Sequence, residues 1–94
     1  RILNIHPALL PQYGGQGMYG SNVHKAVREN GETETGITIH QVNEEYDEGR
    51  ILAQKKISVT PSDTAKDIEE NVKAAEPDFY IETIRKIQKG EIDF

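Results

Sequence analysis

Asn4-Ile5-His6-Pro7-Ala8-Leu9-Leu10-Pro11 sets an amide and an imidazole two residues apart at the end of an apolar run. Side chains alternate along a strand, so Asn4 and His6 project to one face while Leu3 and Ile5 take the other. Pro7 stops the strand, because it offers no N–H to a ladder and biases the residue before it toward extended backbone. In open α/β sheets, ligands lie in the crevice outside the carboxyl ends of the strands, where this pair would sit. An Asn-x-His spacing alone would serve a turn and a half-buried core position just as well.

Outward from that strand, Pro11 to Gly20 contains Gly14, Gly15, Gly17 and Gly20 and reads as a loop, either a plain connector or one wall of a site. It does not spell the GxGxxG of a phosphate-binding turn. Ser21 or Asn22 is a suitable N-cap for a short helix over about 22–29, which Asn30-Gly31 would end. Residues 36–43 and 50–59 alternate and read as strands, the second placing Ile51, Ala53, Ile57 and Val59 on one face. The short link between them suits an antiparallel pair. Pro61-Ser62-Asp63-Thr64 starts a helix, capped by Asp63 or Thr64, with Asp67 near its positive end. Ile68, Val72, Ala75 and Phe79 form its buried stripe. Pro77 predicts a kink or break, followed by a second piece carrying Ile81, Ile84 and Ile87. The order is β-loop-α-β-β-α, an α/β unit with a mixed sheet and a long terminal helix.

The 94 residues are enough for one small domain, and the net charge of −5 with no basic run argues against nonspecific nucleic-acid binding. No cysteine is present, which removes disulfides, thiolate metal sites and a cysteine nucleophile. No stretch has the length of a membrane span, and a cytoplasmic location is expected. His6, His24 and His40 match no compact metal-ligand spacing, so no metal is expected.

Four stretches together carry more information than any one. Asn4 to Pro11, Gly20-Ser21-Asn22-Val23-His24-Lys25-Ala26, Gly36-Ile37-Thr38-Ile39-His40-Gln41-Val42 and Tyr46-Asp47-Glu48-Gly49-Arg50-Ile51-Leu52-Ala53-Gln54 follow one another in this order. In that order they resemble the 10-formyltetrahydrofolate-dependent formyltransferases, and most of all the branch that formylates the amine of glycinamide ribonucleotide in purine biosynthesis. The resemblance implies the carboxyl-terminal half of such an enzyme, without the Rossmann-like amino-terminal half, so that the chain alone would be inactive. It implies Asn4, His6 and Asp47 as catalytic residues acting on direct amine attack. Asn4, His40, Asn43, Glu44, Glu45, Tyr46 and Asp47 would line the pocket for 10-formyltetrahydrofolate. Glu76 and Lys73 would contact the ribonucleotide, although the family often has glutamine at Lys73 and histidine at Pro77. The loop 11–20 is longer than in several members, so substrate contacts do not carry over there.

The chemistry of the three catalytic candidates fits the reaction. Formyl transfer puts negative charge on an oxygen, which an Asn4 N–H and a protonated His6 could stabilise, with a carboxylate favouring the imidazolium. Read without the family, Asp47 lies in an acidic turn, His40 and His24 are core or surface histidines, and Lys73 and Glu76 form an i,i+3 ion pair. Two related enzymes compete: formyltetrahydrofolate hydrolase, which carries histidine in place of Pro7, and methionyl-tRNA formyltransferase, which carries alanine there. A non-enzymatic reading is a stable fragment or binding module that self-associates through its open sheet edge, as a homodimer for example.

Overall fold

The computed structural model describes residues 2–15, 17–42 and 50–94. The elements run β1 (Ile2–His6), α1 (Ser21–Glu29), β2 (Glu34–Val42), β3 (Ile51–Ser58) and α2 (Ala65–Gln88), the order expected from the sequence. The sheet order is β1-β2-β3 with both pairings antiparallel, and the parallel member of a mixed sheet is not among these three strands.

One face of the sheet carries the core. Ile37 and Ile39 are fully buried and join Val23 and Val27 of α1 and Ile68, Val72 and Phe79 of α2 in one apolar cluster. Leu3, Ile5, Ala53 and Ile57 pack against its margin. Alternation sends Thr38 and His40 to the opposite face, together with their register partners His6 and Asn4.

Strand β3 departs from the expected alternation. Ile39 pairs with Ala53 but His40 pairs with Ile51, so Leu52 is an extra residue opposite the Ile39–His40 step. One inserted residue reverses the alternation beyond it, so Ile51 stands on the face of His40, 44% exposed, instead of beside Ala53 in the core.

The helix ends are set by local hydrogen bonds. Neither Ser21 nor Asn22 caps α1: Gly20 is the N-cap residue, and Asn22 Nδ2 donates instead to the Gly17 carbonyl at 3.0 Å. Gly31 ends the helix region with φ of 64°, the left-handed conformation expected of it. Thr64 caps α2 through a capping box with Asp67, and those backbone and hydroxyl hydrogen bonds hold the Asp67 carboxyl below its ordinary pKa. Asp63 instead accepts from the Thr60 N–H at 2.8 Å.

Helix α2 does not break at Pro77 but runs through it over a total of 24 residues. The missing N–H orphans the carbonyl of Lys73, four residues back, on an exposed part of the helix where water can replace it. On either side of Pro77, Ile68, Val72, Phe79 and Thr83 lie buried along one stripe, and that packing outweighs a local cost of about 3 kcal/mol. The stripe also corrects the terminal part of the pattern: Thr83 is buried and Ile81 is 49% exposed. Thr83 can be buried because its hydroxyl donates to the Phe79 carbonyl at 2.8 Å.

His24 is only 3% exposed, and its Nδ1 has no hydrogen-bond partner among the described residues. Burial pulls its pKa below the ordinary histidine value, with Glu69 opposing and Lys73 reinforcing the shift. A folded-state pKa below the unfolded one means that the unfolded chain binds the proton more readily. The contribution of neutral His24 is therefore present above about pH 6.5 and lost as the pH falls through the folded value. Thermal melts from about pH 8 down to about pH 5 should show the parent losing stability over that window, with a shallower loss in His24→Leu. Equal slopes would remove His24 from the acid response.

Candidate active site

The strand β1 delivers Asn4 and His6 to the same sheet face, as alternation requires. Asn4 Nδ2 donates to His40 Nε2 across the β1–β2 pair at 3.2 Å, and the two residues are direct register partners. His40 is 6% exposed while Asn4 is exposed, so a buried imidazole holds an amide that faces out. A primary amide has two N–H groups, and His40 uses one of them. The second has no partner among the described residues.

His6 is half-buried, and its Nε2–H donates to the Tyr13 carbonyl at 2.8 Å. A carbonyl only accepts, so Nε2 carries a proton in either charge state of the ring. Nδ1 is therefore the atom through which His6 can take or give a proton. Tyr13 has φ of 56°, unusual for a residue with a side chain, and is fixed at its far end. Its hydroxyl donates to Glu32 Oε2 at 2.9 Å and accepts from Asn30 Nδ2 at 2.9 Å. Burial raises the phenol pKa, Asn30 opposing and Glu32 adding to the shift, which keeps the hydroxyl protonated as a donor.

The chain leaving His6 folds back over β2. Ala8 N–H bonds to the His6 carbonyl at 2.9 Å, and the turn then meets Thr38, which is fully buried. The Thr38 hydroxyl donates to the Ala8 carbonyl at 2.6 Å and accepts from Leu10 N–H at 3.0 Å. Gln54 Nε2 donates to that hydroxyl at 3.0 Å and to the Leu10 carbonyl at 2.8 Å. Thr38, Gln54 and the Tyr13 carbonyl are the groups around His6 that sequence reading missed. The usable signal was that Thr38 shares a face with His40 and lies two residues beyond Gly36, a gap through which the turn could pass.

The other expected site residues fall elsewhere. Asn43, Glu44, Glu45, Tyr46 and Asp47 lie outside the described residues. Lys73 pairs with Glu69 at 3.8 Å on α2, not with Glu76 as its i,i+3 neighbour, because the i,i+4 step brings Glu69 within reach. Glu76 is half-buried on the same helix, and no hydrogen bond or ion pair among the described residues joins Lys73 or Glu76 to Asn4, His6 or His40.

An outward-facing amide and a half-buried imidazole, each tied from behind, are a donor pair of the kind that can stabilise an oxygen gaining charge. A family model described as formyl transferase matches residues 1–84. The chain belongs to the formyl transferase family. Among its formyl transferase relatives, the chloroplastic phosphoribosylglycinamide formyltransferase of Arabidopsis thaliana is 54% identical over 92 residues, covering 98% of this chain and 32% of that protein. The phosphoribosylglycinamide formyltransferase of Haemophilus influenzae is 37% identical over 92 residues, covering 98% of this chain and 41% of the relative. The crystal structure of phosphoribosylglycinamide formyltransferase from Brucella melitensis matches with a TM-score of 0.80 at 39% identity, over 93% of this chain and 42% of that one. The chain thus spans between about a third and two-fifths of the length of these formyl transferases.

Proposed function

We propose that this chain is the carboxyl-terminal part of a phosphoribosylglycinamide formyltransferase, which moves a formyl group from 10-formyltetrahydrofolate to the amine of glycinamide ribonucleotide. The observation that carries this reading is the pair Asn4 and His6 on one sheet face, the amide backed by His40 and the ring by the Tyr13 carbonyl. The names of the relatives support the choice of acceptor.

As the amine adds to the formyl carbon, the formyl oxygen gains negative charge. The free N–H of Asn4 stabilises it, and His6, protonated at Nδ1, donates beside it. His6 then gives that proton to the departing folate nitrogen, while Asp47 takes the amine proton through a water. His40 and residues Asn43 to Asp47 bind the folate, and Lys73 and Glu76 bind the ribonucleotide. The edge of β1 that no strand among the described residues pairs, where Ile2 is 63% exposed, is where further strands, or a second copy as a homodimer, would add. No helix among the described residues is long and apolar enough to cross a membrane. The Arabidopsis thaliana relative is named as chloroplastic, so the reading extends to plastids as well as the cytoplasm.

The full-length polypeptide bearing these residues should be offered 10-formyltetrahydrofolate with glycinamide ribonucleotide, with water alone and with charged initiator tRNA. Formylated ribonucleotide and free tetrahydrofolate in the first mixture, with neither product from residues 1–94 alone, is the expected result. Tetrahydrofolate released at the same rate without an acceptor would favour the hydrolase reading.

A further inference from the structure

We propose that Gln54 is a positioning residue for His6: its amide, together with the Thr38 hydroxyl, pins both backbone polar groups of Leu10 and so fixes where the Tyr13 carbonyl meets the imidazole. The activity arm of this inference rests on the proposed function; the structural arm does not.

His6, Thr38 and Gln54 form one row across the sheet, since Thr38 is the register partner of His6 on one side and of Gln54 on the other. Partners in register share a face, so the edge strand β3 reaches over β2 toward the turn that follows His6. Both N–H groups of the Gln54 amide are used, one on the Leu10 carbonyl at 2.8 Å and one on the Thr38 hydroxyl at 3.0 Å. The Leu10 N–H is held by the same hydroxyl at 3.0 Å, which in turn donates to Ala8 at 2.6 Å. Leu10 is thereby fixed on both sides by side chains from other strands.

Three residues further on, the Tyr13 carbonyl accepts the His6 Nε2–H at 2.8 Å. Three residues span at most about 10 Å, and Gln12 N–H bonds back to the Leu9 carbonyl at 3.1 Å, so the link from Leu10 to Tyr13 is a short turn with little slack. The Tyr13 side chain is anchored separately on Glu32 and Asn30. The carbonyl is therefore held from two ends. If Leu10 is released, the carbonyl can drift from the ring, the Nε2 proton is no longer fixed, and Nδ1 ceases to be the defined atom for proton transfer.

Gln54→Glu keeps the length of the side chain but removes both donors, and Gln54→Met removes the polarity as well. In the full-length polypeptide each should lower kcat about ten- to a hundredfold with KM for both substrates nearly unchanged, the range found for partners that orient a functional ligand. In histidine-labelled protein, the slowly exchanging Nε2 proton of His6 should be present in the parent and lost or broadened in both variants, which reads the ring directly. Parent-like kcat together with an intact Nε2 proton signal would overturn the inference. So would a fall in kcat that tracks lowered thermal stability while the His6 signal stays intact. If the parent transfers no formyl group, the proposed function fails, and the Nε2 proton signal in the parent and variants still decides whether Gln54 positions the ring.

Discussion

His6→Ala in the full-length polypeptide is expected to lower kcat by about a hundred- to ten-thousandfold, the range typical of a removed general acid or base. Two observations set the size. The ring carries the only ionisable group that β1 presents beside the Asn4 amide, and its Nε2 is committed to the Tyr13 carbonyl, leaving Nδ1 as the defined proton-transferring atom. In the proposed mechanism, alanine removes both the donor to the charged oxygen and the proton for the departing nitrogen, a loss confined to the transition state. KM for both substrates should therefore move far less than kcat. Thermal stability should change little, since His6 is half-buried and lies on the face opposite the apolar core. Steady-state kinetics with both substrates varied, paired with a melt, checks this. A variant with parent-like kcat would remove His6 from the chemistry.

Gly36→Ala is expected to cost more stability than any other single methyl addition to this sheet. Gly36 is fully extended backbone with no left-handed φ, so the requirement is for space. A Cβ there would overlap the Lys55 carbonyl oxygen and the end of the Leu9 side chain. Leu9 could swing aside, but the Lys55 carbonyl belongs to the strand paired with Gly36 and can move only if the β2–β3 register opens. Overpacking typically costs about 1–3 kcal/mol, and a backbone obstacle puts this site at the upper end. That is a large part of the roughly 5–15 kcal/mol that stabilises a small domain, and should lower Tm by about 10 °C or more. The same methyl would lift the turn that Thr38 and Gln54 hold, so the His6 ring environment should change along with stability. A melt superimposed on that of the parent would mean that the Lys55 carbonyl does not crowd a side chain at position 36.

Much of the fold was legible in local pattern. Alternation placed Asn4 and His6 together, β-branched runs located β2 and β3, and the Thr64 cap with the Ile68, Val72 and Phe79 stripe located α2. Two of the departures share one cause. At Pro77 the break offered beside a kink does not occur, and the expected core position of Ile51 is not taken; both readings are rules of a local period, and each was overruled by a non-local term. Burial on both sides of Pro77 carries α2 through it, and the extra residue at Leu52 turns Ile51 to the other face. The N-cap of α1 differs for a local reason: Gly20 occupies the cap position, and the Asn22 amide donates to the Gly17 carbonyl in the loop before it.

The sequence by itself determined the element order, the shared face of Asn4 and His6, and the family, because periodicity and motif order are properties of neighbours along the chain. Only the tertiary structure decided what stands behind those two residues. His40 lies 36 residues from the amide it holds, and Gln54 lies 44 residues from the Leu10 carbonyl it binds. Such contacts depend on strand register and on the path of a turn across a neighbouring strand, which no spacing along the chain encodes. The physical reason is that a hydrogen bond is fixed to within a few tenths of an ångström, while a sequence pattern fixes only the face a side chain points to.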